Sequence, residues 1–165
     1  MKKNLLTFVL ALVLLFISMP VSANQPIKVE DEIKKMAEEY EKIEGVDCMV
    51  LEPGGGLGLV KGMFKSKFGS AFMKGVTLMV IIEYSKASPE FRAKLIKKID
   101  SFSGVLQELS PNKGEEQKGQ YVKSYGSING TTSISDFMIL MEEGDTRMLL
   151  YMGGHLAIDK LEVNM

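Results

Sequence analysis

The chain has 165 residues, is 45% hydrophobic and is nearly neutral, with 20 Lys and Arg against 21 Asp and Glu. That length fits one domain, and that charge balance excludes a general nucleic-acid binder. A single cysteine, Cys48, excludes an intrachain disulfide, and His155 is the only histidine.

Met1-Lys2-Lys3 gives a basic start, followed by the apolar run Leu5 to Ile17. At thirteen residues the run is shorter than the roughly 20 that a membrane span needs. Pro20 breaks it, and Val21-Ser22-Ala23 has the small-x-small form that signal peptidase cuts after. Residues 1–23 therefore read as a secretory signal peptide, with an exported domain over 24–165, in the periplasm or outside the cell. No cysteine sits near the cut, so a lipoprotein route is closed.

Val29 to Glu44 has helical periodicity, with Ile33, Met36, Ala37, Tyr40 and Ile43 on one stripe and Glu30, Asp31 and Glu32 at the positive end. Gly45 supplies a stop. Two near-copied apolar runs follow, Gly45 to Glu52 and Gly75 to Glu83, each starting at a glycine and ending on a glutamate. They read as buried or half-buried strands joined by a helix, a βαβ unit that would set them parallel and close together.

Between them lies Pro53-Gly54-Gly55-Gly56-Leu57-Gly58. The position suits a phosphate cradle, but there is no Gly-Lys-Ser/Thr, and Gly56-x-Gly58 continues to Gly62, one residue beyond dinucleotide spacing. A flexible turn or an interaction loop through Gly54, Gly55, Gly56 and Gly58 fits better. Residues 54 to 75 then carry Lys61, Lys65, Lys67 and Lys74 with no acid, whereas 24 to 53 carry four lysines against nine acids. Segment 57–74 admits two readings. It is a crossover helix packing on the sheet with its lysines in water, or it is a surface for anionic membrane, touched by Lys61, Lys65, Lys67, Phe64 and Phe68.

Ser88-Pro89-Glu90 starts a helix whose stripe is Phe91, Leu95, Ile96, Ile99 and Phe102. Ser103-Gly104 ends it, leaving Val105 to Leu109 as a strand, with a longer helix the competing reading. Pro111 to Gly114 reads as a turn and Glu115 to Gly119 as a polar loop. Three strands follow, Tyr121 to Ser127, Ile134 to Met141 and Arg147 to Met152, joined by turns at Asn129-Gly130 and Glu143-Gly144-Asp145. Gly153 to Leu161 reads as a short strand entering a last turn of helix. The whole is an α+β fold, a two-layer sandwich with a mainly antiparallel sheet, helices on one face and one βαβ unit.

Glu39 to Val46 before a strand, and Ser133 to Leu161 with its acidic turn and Gly154-x-Leu156-x-Ile158-Asp159-x-x-Leu161, resemble a family of small exported Bacteroidetes proteins defined as a domain of unknown function. The resemblance covers most of the mature chain and implies the fold and the exported address; it implies no activity.

Chemistry-bearing residues are sparse. His155 with Asp159 could form a base and its orienting carboxylate in a hydrolase, but there is no Gly-x-Ser-x-Gly elbow. One histidine and one cysteine 107 positions apart make a poor zinc set. Met138 and Met141 could select Cu(I), yet on a strand they point to opposite faces, so core filling is preferred. Glu142, Glu143 and Asp145 read as turn residues, without EF-hand spacing for calcium. Cys48 reads as a small buried hydrophobe. The expectation is a non-enzymatic domain without a cofactor that binds a protein or small-molecule partner, or an anionic membrane through 57–74.

Overall fold

A computed structural model describes residues 28–109, 120–129 and 133–157, the side chains of 66–68, 120 and 129 excepted. The expected signal peptide, the 111–114 turn, the 115–119 loop, Gly130 and the closing helical turn lie outside the described residues. Helix α1 spans Val29–Tyr40, ending earlier than the periodicity suggests. Gly45, with φ +79°, lies five residues past the end of α1 in the turns that follow it, against the backbone of Lys86. Strand β1 is Asp47–Leu51. The next helical segment is split into α2, Leu57–Phe68, and α3, Ser70–Gly75, by Gly69 at φ +85°. Then come β2 (Val76–Glu83), α4 (Pro89–Asp100), β3 (Gln107–Glu108), β4 (Gln120–Asn129), β5 (Ser133–Glu143) and β6 (Thr146–Ala157).

Local chemistry accounts for the helices. Ser88 Oγ accepts the Phe91 N–H at 3.2 Å, Pro89 occupies the first turn, and Lys97 and Lys98 suit the negative end of α4. The stripes of α1 (Ile33, Met36, Ala37, Tyr40) and α4 (Phe91, Leu95, Ile99) are buried, and the Tyr40 and Phe91 rings meet edge to face at 5.0 Å.

Among the described residues the strands form one antiparallel sheet of order β1-β2-β6-β5-β4-β3. The α+β sandwich stands, but the βαβ unit does not. The twin strands are neighbours as expected, yet antiparallel, with Asp47 opposite Glu83 and Leu51 opposite Met79. An apolar run reads the same in both directions, so its connection decides its sense. Here the connection starts and ends at the same end of the sheet, because the chain turns at Gly69 rather than crossing to the far end.

The helices are also not confined to one face. Leu78, Val80, Ile82, Leu149 and Tyr151 face α1 and α4 in one core. Met79, Leu150, Met152 and Phe137, from the alternate positions, join Leu57, Phe72 and Met73 of α2 and α3 in a second core. The expected strand Val105 to Leu109 shrinks to Gln107–Glu108, because residues up to Val105 continue as turns after α4. β6 runs without a break to Ala157, joining the expected strand to Met152 and the short strand expected from Gly153.

Candidate functional site

The glycine-rich turn and α2 form the most unusual surface. The Gly55 N–H donates to the Glu52 carbonyl at 3.0 Å, closing a turn in which Gly54 takes φ +91°. Gly54, Gly55, Gly56 and Gly58 are all exposed, and Gly56 caps α2 without a side-chain partner.

Helix α2 has two apolar stripes rather than one. Leu57 is buried, and Val60 and Phe64 pack against the second core. Leu59 and Met63, one turn apart, point the other way and are 82% and 73% exposed. Burial thus does not follow the expected division into an apolar inner side and a lysine outer side. Lys61 is half-buried, and its ammonium donates to the Lys74 carbonyl at 3.4 Å; burial, and then the nearby Lys65, lower its pKa. Lys65 and Lys74 are exposed.

Of the expected lipid contacts, Lys61 and Lys65 come together. Phe64 is turned towards the core, and the side chains of Lys67 and Phe68 lie outside the described residues. Leu59 and Met63 were missed. Their signal was available: a helix with 57, 60 and 64 inward must turn 59 and 63 outward. On the same sheet face, Met49 of edge strand β1 is 50% exposed, and Ile81 and Met148 are half-buried.

The acidic part of the chain faces elsewhere. Glu30, Asp31 and Glu32 begin α1, over the opposite face of the sheet from α2. Lys34 bridges Glu30 at 3.1 Å and Glu52 at 2.7 Å, and Lys98 reaches Glu32 at 3.2 Å, so part of that charge is paired.

The other candidates sit on strands β6, β5 and β1. His155 is exposed on β6, and Asp159 lies outside the described residues. Met138 is buried in the first core, whereas Met141 is half-buried opposite Met148. Cys48 is half-buried rather than buried; that burial, then Glu41 and Asp47, pushes its thiol up to about 11, leaving it protonated and unreactive at neutral pH. Among the described residues no group of three or more His, Cys, Asp or Glu could hold a metal ion, and no helix is long and apolar enough to cross a membrane.

Glu142 is not a turn residue as the sequence suggests: the hairpin loop is only Gly144-Asp145, with Glu143 opposite Thr146, so Glu142 belongs to β5. Its carboxylate takes two bonds from Arg92 of α4, at 2.6 and 2.7 Å, and one from the Tyr84 hydroxyl at 3.0 Å. Burial pushes this carboxyl up. The bonds from Arg92 and Tyr84, with the charges of Arg92 and Arg147, outweigh it and set the pKa below the usual value. A depressed carboxyl contributes stability that is complete above the unfolded pKa and is lost as pH falls through the folded one. Glu142→Gln is expected to cost about 1–2 kcal/mol at pH 7 and to flatten the stability loss below about pH 4.5. Urea unfolding at pH 7 and pH 4 measures it; identical pH slopes for both proteins would refute this role.

Comparison with protein-family models, curated proteins and solved structures returned no match.

Proposed function

We propose that the protein is an exported, non-enzymatic binding domain that docks on an anionic lipid surface through α2. The observation that carries this reading is the outward pair Leu59 and Met63 amid Lys61, Lys65 and Lys74, in a stretch with no acid anywhere from 53 to 82. The signal-peptide pattern at 1–23 supplies the exported address, and the resemblance at 39–46 and 133–161 agrees with it.

The energetics are adequate for a reversible contact. Each lysine near an anionic surface contributes about 1 kcal/mol, and each fully buried Leu or Met about 1.5–3 kcal/mol. The acidic start of α1, on the opposite face, is repelled by the same surface and so orients the domain.

Flotation with zwitterionic and with anionic phospholipid vesicles tests the proposal. The protein is expected to float with the anionic vesicles alone and to release at high salt. Lys65→Gln with Lys74→Gln should weaken partition roughly 30-fold, and Leu59→Ser with Met63→Ser should abolish flotation while leaving the fold intact. Equal flotation with both vesicles, or with neither, sinks the lipid reading. A protein partner on the face bearing Met49, Ile81 and Met148 would then take its place.

A further inference from the structure

Among the described residues the two edges of the sheet are built differently. At one edge β3 is only two residues long, Gln107–Glu108, too short to offer a ladder of its own. At the other, β1 runs five residues, Asp47–Leu51, in unbroken register with β2. It holds no lysine, proline or bulge, the devices that ordinarily blunt an edge, and its one charge, Asp47, stands at its first residue.

Side chains and main chain of β1 are both open. Met49 and Val50, which point to opposite faces of the sheet, are 50% and 41% exposed. On the side away from β2, the N–H and C=O groups of the strand meet no backbone partner among the described residues. Charge of one sign surrounds this edge. Residues 38–52, from the last turn of α1 to the end of β1, carry six acids and one lysine, Lys42. Glu52 is paired with Lys34, but Glu41, Glu44 and Asp47 are exposed and take part in no salt bridge among the described residues. Glu41 and Asp47 both act on the Cys48 thiol, which places them at the strand. Asp47 also stands directly opposite Glu83 across the β1–β2 pair, a like-charge pairing that a cation would relieve. Lys86 borders Gly45, yet with Lys42 it leaves these four acids in excess.

We infer that β1 is a docking edge for an extended, basic polypeptide segment, which joins the sheet as an antiparallel strand with apolar residues against Met49 and Val50 and lysines or arginines at Asp47 and Glu44. In strand addition of this kind the main-chain bonds supply affinity and the side chains choose the partner. Charge decides between occupants. A second copy of this chain would bring its own acidic 38–52 run to the same edge and be repelled, as would an acidic peptide. An antiparallel partner passes Leu51 first and Asp47 last, so it carries its apolar residues N-terminal to its basic ones. The site uses none of the residues through which α2 is proposed to meet lipid.

Titration of the full chain with the peptide acetyl-Thr-Val-Thr-Val-Lys-Ala-Lys-amide, followed by NMR and amide exchange, tests the inference. Saturable shifts and slowed exchange are expected across Asp47–Leu51, with β3 and β4 unmoved. Methylating alternate amide nitrogens of the peptide removes its ladder bonds and should weaken binding roughly tenfold or more. Glutamate in place of its lysines should do the same. Glu44→Gln combined with Asp47→Asn, both at exposed positions, should weaken the lysine peptide roughly three- to tenfold without lowering thermal stability. Equal affinity for the lysine and glutamate peptides, or for the N-methylated one, would overturn the docking edge. So would unshifted Asp47–Leu51 amides at millimolar peptide, or a self-associated chain in which those amides are already protected without it.

Discussion

Gly154→Ala is expected to be among the most destabilising single-methyl changes in the protein, at about 2–6 kcal/mol. Two costs add. Gly154 has φ +136°, a conformation that L side chains rarely adopt, worth about 1–3 kcal/mol. An added Cβ would also press on the Gly75 carbonyl and the Thr77 N–H of β2, where the β2–β6 register shifts between Val76 and Leu78. Backbone cannot swing aside like a long side chain, so overpacking contributes a further 1–3 kcal/mol or so. Gly75 makes the reciprocal approach, since its Cβ would meet the His155 carbonyl. Gly144 provides the control. It too has positive φ, +57°, but nothing lies within 4 Å of its missing Cβ. Gly144→Ala should therefore cost only about 1 kcal/mol. Urea unfolding of the two variants decides the matter, and equal losses would mean that the close crossing of β2 and β6 is not what requires glycine at 154.

The second large effect is expected at Phe72. Its side chain is fully buried and meets Phe137 edge to face at 5.9 Å, tying the short helix α3 to β5 beneath it. Phe72→Ala should cost about 3–5 kcal/mol, the range for a phenylalanine cavity. Its signature is regional. The segment 57–75 reaches the second core through a small set of apolar side chains, of which Phe72 and Met73 are the most deeply buried. Amide exchange should accelerate across 57–75 while α1 and α4 keep their protection, and vesicle binding should fall with the loss of an ordered α2. Uniform acceleration over the whole chain would show instead that the second core is not a separate unit.

How legible these features are in the sequence depends on the range of the forces that set them. The start of α4 could be read because Ser88, Pro89 and Glu90 act on backbone groups within one turn. The Gly144-Asp145 hairpin and the α1 stripe were readable for the same reason. The sense of β2 was not, because its apolar residues fit either direction and the choice rests on how the chain turns at Gly69. Glu142 was misassigned because its partners, Arg92 and Tyr84, are 50 and 58 positions away. The α2 surface was half legible: the lysines and the missing acids are written in the chain, whereas Phe64 facing in and Leu59 facing out depend on the second core.

The strand order also constrains when the protein can finish folding. β2, in the first half of the chain, has β6 as its inner neighbour, and β6 is the final described strand to be synthesised. The meander from β4 to β6 can zip through successive hairpins, but β1 and β2 must wait, with their apolar surfaces unsheltered, for a partner some seventy residues downstream. A nascent chain of this kind carries its most aggregation-prone surfaces early and can shelter them only once β6 has been made.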